Sequence, residues 1–293
     1  MDIFLQLLVS GLLLGGIYVL VSVGLTMVFG VMKIVNFAHG DFLMLGMFGA
    51  FFLFQLLGLN PYVSLFLMAP LMFLLGVIFY KLIVGRTIGR PHVVQIFAFI
   101  GLSVALQNLA LVLFSADFRG INTALSSAVW SMGPIHIGIP LLVAFAVASA
   151  ITGLLFLFLN YTYVGKAIRA ASQDRFSATL MGVSNQKIYM LSFGIGVGLL
   201  GIAGSLLIPI YSVYPTVGEQ FALISFVVVV LGGLGSLPGA VVGGLLIGVI
   251  ETMSSYFIAP SMKQLVYFTV FILILILRPN GLLGRPGDAE EAV

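Results

Sequence analysis

Charged residues divide this chain into long apolar intervals. Thirty uncharged residues lie between Asp2 and Lys33, 39 between Asp41 and Lys81, 26 between Arg90 and Asp117, 46 between Arg119 and Lys166, and 31 on each side of Glu219. A helix crossing the hydrocarbon core needs about 20 apolar residues, so every interval holds at least one crossing. The pattern predicts helices over 3–30, 40–58, 62–84, 93–115, 139–160, 188–211, 238–258 and 264–280. A ninth apolar stretch, 221–235, reaches only about 22 Å as a helix, short of a core about 30 Å thick. It is expected to be a broken or a re-entrant segment. The expected fold class is all-α, a polytopic bundle of about eight transmembrane helices plus this short or broken Gly-rich segment.

Composition sharpens this reading. The chain is 61% hydrophobic and 7% charged, against roughly 45–50% apolar and about 25% charged in soluble domains. No cysteine is present, which excludes disulfides, thiolate nucleophiles and iron-sulfur ligation. The histidines His39, His92 and His136 fall in no metal-ligand spacing. No phosphate-binding G-x-x-x-x-G-K-[ST] loop occurs, so any nucleotide hydrolysis belongs to other chains.

Short cytoplasmic loops carry excess Lys and Arg. The stretch 81–92 holds Lys81, Arg86 and Arg90 with no acid, and 161–187 holds Lys166, Arg169, Arg175 and Lys187 against Asp174 alone. Both are expected to be cytoplasmic, as is the tail beginning with Arg278 and Arg285. The regions 116–137 and 212–220, with Glu219, then face outward together with the amino terminus. An outside start and an inside end require an odd number of crossings. The segment 221–235 must then span, which favours a broken helix over a re-entrant one.

Four polar features stand out against this background. In Asn36-Phe37-Ala38-His39-Gly40-Asp41 an amide, an imidazole and a carboxylate fall between two apolar runs. Such a cluster is a cytoplasmic turn with Asn36 capping the second helix, a subunit contact, or a lining of a substrate path. In Leu231–Gly239 the residues Gly232, Gly233, Gly235, Ser236 and Pro238 should interrupt a helix. Such an interruption either borders a cavity, as in many transporters, or serves close helix packing through Gly239/Gly243 and Gly244/Gly248. Glu251 sits in an apolar segment and is expected to face a partner or a cavity. In 165–182, good helix formers end at Gly182, where a C-cap belongs. Ala167, Ala171, Asp174, Ala178 and Met181 share one face of that expected helix, and a face of small residues suits close approach by another protein.

These runs carry a resemblance. Asn36-Phe-Ala-His-Gly-Asp41, Gly165-Lys-Ala-Ile-Arg-Ala with Gln173-Asp174 and Met181-Gly182, Val227–Ala240, and Arg278-Pro-Asn-Gly-Leu282 together resemble the permeases of branched-chain amino acid ABC transporters. Urea and amide permeases are built on the same pattern. The resemblance covers residues 1–282 as one transmembrane permease domain, and the acidic tail 283–293, with Asp288, Glu290 and Glu291, falls beyond it and is expected to lack a packed fold.

The resemblance implies a multi-pass subunit of the bacterial inner membrane, without enzymatic chemistry and with no cofactor or metal of its own. Its implied partners are a second homologous permease, two cytoplasmic ATP-binding subunits that hydrolyse the ATP, and a periplasmic substrate-binding protein. The loop 161–187 would couple to an ATPase through Gly165, Arg169, Ala170, Ala171, Asp174, Ala178, Met181 and Gly182. Translocation or gating would fall to Asn36, His39, Asp41, Gly232, Gly233, Gly235, Ser236 and Glu251. A reading of another class is an autonomous secondary transporter or channel in which His39, Asp41 and Glu251 relay protons. An intramembrane enzyme has little support, because no spacing suggests an activated nucleophile.

Overall fold

The computed structural model describes residues 2–123, 125–133 and 135–284. The acidic tail from residue 285 lies outside the described residues. Among the described residues eight helices are long and apolar enough to cross a membrane, which makes the chain a multi-pass membrane protein. They are α1 (Asp2–Met32), α2 (His39–Leu57), α3 (Pro61–Phe79), α5 (His92–Phe114), α6 (Ile139–Tyr161), α9 (Asn185–Leu207), α11 (Leu237–Phe257) and α12 (Lys263–Leu277). A π-helical turn, Tyr80–Val84, and a last turn, α4 (Gly85–Thr87), extend α3. A 3-10 turn, Pro260–Met262, leads into α12. Two short helices, α7 (Tyr163–Gln173) and α8 (Arg175–Leu180), follow α6, and α10 (Val217–Gly232) precedes α11. A small hairpin of β1 (Val129–Met132) and β2 (Ile135–Gly138) pairs antiparallel, with Trp130 opposite Ile137.

α1 and α9 are buried almost throughout and form the centre, while α5, α6 and α12 lie at the periphery. Glycines set the distances between helices. A Cβ on Gly15 would meet the backbone of Leu245, and one on Gly244 the backbone of Val19, so α1 and α11 run antiparallel in near backbone contact. In the same way α9 lies against α3 through Gly201 and Met68, and against α2 through Gly204 and Gly46. Hydrocarbon solvent gives helices no hydrophobic reason to associate, so close packing over small residues supplies the attraction. Both G-x-x-x-G pairs of α11 are used for this. Gly239 and Gly243 face α10 at Gly232 and Val228, while Gly244 and Gly248 face α1.

The bundle has an internal symmetry that the hydropathy pattern hides. α1 packs on α9, α10 and α11, while α9 packs on α1, α2 and α3. Exchanging α1 with α9, α2 with α10 and α3 with α11 maps one set of partners onto the other. The two halves cross the membrane in opposite senses, the arrangement of an inverted repeat. Each half contains one stretch of irregular backbone inside the bundle. Residues 33–38 turn back from the end of α1, so that α2 starts beside Val21, about 16 Å along the axis from Met32. Residues 208–216 return from the end of α9, so that α10 starts beside Gly40.

The expected short segment is present as α10, and the reading of 221–235 as broken or re-entrant is corrected. The segment is neither a broken helix nor a re-entrant loop. α10 is continuous over 16 residues, and the irregular backbone precedes it. A short helix suffices because its starting point already lies below the membrane surface. It ends against α1, with Gly235 beside Gly30. Hairpin and loops agree with the charge-based orientation. Gln6 exchanges two hydrogen bonds with the His136 backbone, and Arg119 pairs with Val213. The amino terminus, 116–138 and the start of 208–216 therefore share one side.

A methyl group on Gly218 would fall on the carbonyl of Gly40, with backbone on both sides and no side chain to yield. Gly218→Leu is expected to lower the stability of the detergent-solubilised protein by about 3 kcal/mol or to prevent folding. Gly153→Ala, at a helical position with no atom near the added carbon, should be neutral or slightly stabilising. Thermal unfolding of both variants checks the contact, and a Gly218→Leu protein as stable as the parent would refute it.

Candidate functional site

The two re-entrant segments bring matching residue pairs together. α2 opens with Gly40-Asp41 and α10 with Gly218-Glu219, and the two glycines touch backbone to backbone. Neither helix has a side-chain N-cap. A carboxylate in each first turn instead complements the positive end of the helix. The Asp41 carboxylate accepts a hydrogen bond from Gln107 of α5 at 3.0 Å, and Gln107 reaches Ser103 at 3.4 Å. Glu219 lies near Asp41 but is exposed. An exposed carboxylate at this depth cannot face lipid without a large cost, so this side of the chain meets water or another protein.

Asn36 and His39 sit just behind. The Asn36 side-chain oxygen accepts from the Ala38 N–H at 3.1 Å. The N-cap position of α2 is Ala38, so Asn36 shapes the turn rather than capping the helix. His39 is fully buried, and its Nε2 lies 2.9 Å from the Val21 carbonyl. A carbonyl only accepts, so Nε2 carries the proton and Nδ1, which has no partner, is an acceptor. The cluster is thus an internal device that fixes the re-entrant turn against α1, at a depth where a surface turn would not be found. Sequence reasoning placed Glu219 in an outer loop and missed it. The repeated pair of glycine followed by an acid, at 40–41 and 218–219, is the signal that would have found it.

Glu251 belongs elsewhere. Its carboxylate accepts from the Tyr18 hydroxyl at 2.6 Å and from the Lys263 ammonium at 2.6 Å. The residue therefore faces partners within its own chain, tying α11 to α1 and α12. Burial of its carboxylate against a half-exposed lysine makes this pair a structural strut.

The Gly-rich run makes the turn between α10 and α11. Gly233 adopts φ +109° and lies against Gly284 and Asn280. The Leu282 and Leu283 N–H groups donate to the Leu231 and Gly232 carbonyls, at 2.8 and 2.9 Å. The Arg278–Leu282 motif thus supplies the donors that the last turn of α10 lacks. The Ser236 hydroxyl accepts from the Gly239 N–H at 3.2 Å and caps α11. Leu234–Pro238 line a cavity of about 680 Å³, whose other walls include Lys33, Arg169 and Ser172.

Across that cavity stands α7, which leads into α8. The expected single helix over 165–182 breaks at Asp174, which is extended and accepts from the Phe176 and Ser177 N–H groups to cap α8. Bonds from the Ser177 hydroxyl and from these N–H groups hold the Asp174 carboxyl below the usual carboxylate range. α8 ends as expected at Gly182, φ +83°, with the Val183 N–H reaching back to Ala178 and the Gly182 N–H to Thr179. The small-residue face is not presented outward. Gly165, Ala167, Ala171 and Ala178 are buried in the chain's own packing, Gly165 against Phe158 and Leu159. Small residues here let α7 lie close on its own bundle. The outward surface includes Arg169, Ala170, Asp174 and Gly182 and an apolar patch of Phe176, Leu180 and Met181 with 74%, 71% and 84% exposure. The Arg175 guanidinium donates to the last carbonyl of α1, Met32, at 3.0 Å, and lies over the Tyr189 ring. The hairpin is thereby fastened to the helix whose continuation carries Asn36, His39 and Asp41. Among the described residues no group of three or more His, Asp or Glu side chains is placed to hold a metal ion.

Residues 7–275 match the family described as branched-chain amino acid transport system, permease component. The permease BraD of a high-affinity branched-chain amino acid transport system in Pseudomonas aeruginosa is 34% identical over 97% of this chain and 96% of its own length. The corresponding permease LivH of Salmonella typhimurium is 31% identical over the same shares. The permease LivM of Escherichia coli is 30% identical over 41% of this chain and 28% of its own length. No solved structure matches.

Removing one member of the Glu251 strut tests its role. Lys263→Met leaves a buried carboxylate with no counter-charge and only the Tyr18 hydroxyl as a hydrogen-bond donor, and is expected to cost about 3 kcal/mol. Glu251→Gln keeps an acceptor for Tyr18 and releases an ammonium that can reach water, and is expected to cost roughly 1 kcal/mol. Thermal unfolding in detergent at neutral pH ranks the two, and the reverse order would show that Lys263 is not the balancing charge.

Proposed function

The chain belongs to the permease family of branched-chain amino acid transport systems, and on that premise we propose that it is the membrane subunit of an ABC importer for these amino acids. It resides in the bacterial inner membrane and works beside a second, homologous permease. Two cytoplasmic ATP-binding subunits hydrolyse the ATP, so that the chain itself holds no cofactor, and a periplasmic binding protein delivers the substrate. The chain catalyses no chemical change.

The observation that carries this reading is the exposed apolar patch of Phe176, Leu180 and Met181, on a hairpin anchored to α1 through Arg175. Apolar side chains on a loop with four cations and one acid are out of place in water, and suit the groove of a partner subunit. Closure of the ATP-binding subunits would pull the hairpin. Arg175 would pass that displacement to the end of α1, and residues 33–38 would pass it to the contact between Gly40 and Gly218. Shifting the two helix starts against each other exposes Asp41 and Glu219 to one side of the membrane or the other, which is alternating access. Gly165 and Ala171 act in this scheme by seating α7 on the bundle, Ala178 by seating α8, and Gly182 by ending α8.

The autonomous transporter finds less support. Among the described residues no hydrogen bond joins His39, Asp41 and Glu251 to one another; they are bonded to Val21, Gln107, Tyr18 and Lys263. A cargo of urea or short amides is less favoured, since the relatives reported above are named for branched-chain amino acids.

Co-purification from native membranes in mild detergent, with partners identified by mass spectrometry, is expected to yield a second permease, ATP-binding subunits and a binding protein whose ligand is leucine, isoleucine or valine. Recovery of the chain alone, together with uptake in liposomes lacking partners, would sink the proposal. Leu180→Glu is expected to reduce ATP-driven uptake at least tenfold and to remove the ATP-binding subunits from the purified complex, as loss of a central interface side chain does. The variant should remain inserted and folded, since Leu180 makes little contact with its own bundle.

A further inference from the structure

A second cytoplasmic cavity, of about 570 Å³, lies between the end of α1, the segment leading into α5, and the junction of α7 with α8. Lys33, Arg90 and Arg175 bring three cations to its wall and His92 an imidazole. The one carboxylate present, Asp174, is already engaged in capping α8. Part of the Arg175 guanidinium is spent on Met32, while Arg90 is exposed and uses its backbone carbonyl, not its side chain, to receive Gln95. Ser172 and Gln173 add polar groups between the cations. The charge and depth of the cavity fit a phosphate group.

The surroundings decide which kind of phosphate. From His92 the helix α5 enters the membrane at the periphery of the bundle. Its first two turns expose Val93, Val94, Ile96 and Phe97, to 61%, 47%, 39% and 66%. A basic cavity at the cytoplasmic membrane surface thus opens next to an apolar helix face running down from it. Acyl chains can lie along that face while a headgroup occupies the cavity, an arrangement that a free anion would not need. Basic pockets between helices on this side bind anionic headgroups by the same physics.

We propose that this cavity is a binding site for the headgroup of an anionic phospholipid, with the acyl chains along the exposed face of α5. The site does not depend on the importer reading, only on the cytoplasmic placement of the hairpin. Because Ser172–Phe176 form one wall, an occupied site braces the break between α7 and α8.

Phosphatidylglycerol is the probe. The complex is exchanged into nanodiscs of phosphatidylcholine with a minor fraction of phosphatidylglycerol, released, and examined by native mass spectrometry for retained lipid. The parent protein is expected to retain phosphatidylglycerol in preference to phosphatidylcholine. Arg90→Gln should weaken retention about fivefold, the effect of removing one cation near a membrane surface. Lys187→Gln, an exposed cation on the same side but outside the cavity, should change nothing, and inorganic phosphate should not displace the lipid. Displacement by inorganic phosphate would assign the site to free anions and overturn the lipid. Unchanged retention in Arg90→Gln, or an equal loss in Lys187→Gln, would overturn the cavity as the site. Among the described residues the Arg90 side chain makes no hydrogen bond or ion pair, so the variant is expected to fold, which its elution profile verifies.

Discussion

The backbone of Gly40 rests on the backbone of Gly218, and the rest of the molecule is arranged so that it can. Two helix starts meet inside a membrane protein only if two stretches of chain turn back into the bundle. Each such stretch must find partners for its amide groups where no water is at hand. The turns supply many of them locally, Ala38 through the Asn36 side chain and Val217 through Tyr214, while Val213 exchanges bonds with Arg119; cover comes from the helices α1 and α9. Being buried on almost every side, they can be flanked by irregular backbone without exposing it to lipid. The glycines along both helices follow from the same requirement, because neighbouring helices and turns have to approach to backbone distance.

The polar groups near this contact are placed by the fold for particular tasks. His39 and Asn36 hold the turn before α2 by bonds to Val21 and Ala38. Asp41 and Glu219 sit where the helix dipoles favour negative charge, one buried against Gln107 and the other open. Their approximate symmetry is that of the two halves, which cross the membrane in opposite senses.

Structure at the end of the bundle that carries α7 and α8 links this centre to the surface. Arg175 ties α8 to the last carbonyl of α1, and Leu282 and Leu283 tie the segment after α12 to the last turn of α10. The ends of α1 and α10 are therefore both held by hydrogen bonds from neighbouring segments. The cavities of about 680 and 570 Å³ beside α7 both have Lys33 in their walls.

Hydropathy alone determined the number, order and approximate bounds of the long helices, because a 30 Å apolar solvent forces any crossing segment to be apolar over its whole length. Lys and Arg grouped the loops into two sets, and the contacts of Gln6 with His136 and of Arg119 with Val213 hold members of one set together. Gly182 and Ser236 were readable as helix punctuation, since capping is local chemistry. Only the tertiary structure decided which face of 165–182 looks outward: alanine is as suitable for packing on one's own bundle as on a partner, and the stripe alone cannot say which neighbour it meets. The same holds for Glu251, whose partners Tyr18 and Lys263 are brought to it by the packing of α1 and α12, and for α10, whose length makes sense once its start is seen inside the bundle. The pairing of Gly40 with Gly218 joins residues 178 positions apart. A periodic pattern reports the environment of each residue along one helix, whereas such a contact depends on how all the helices share the space between them.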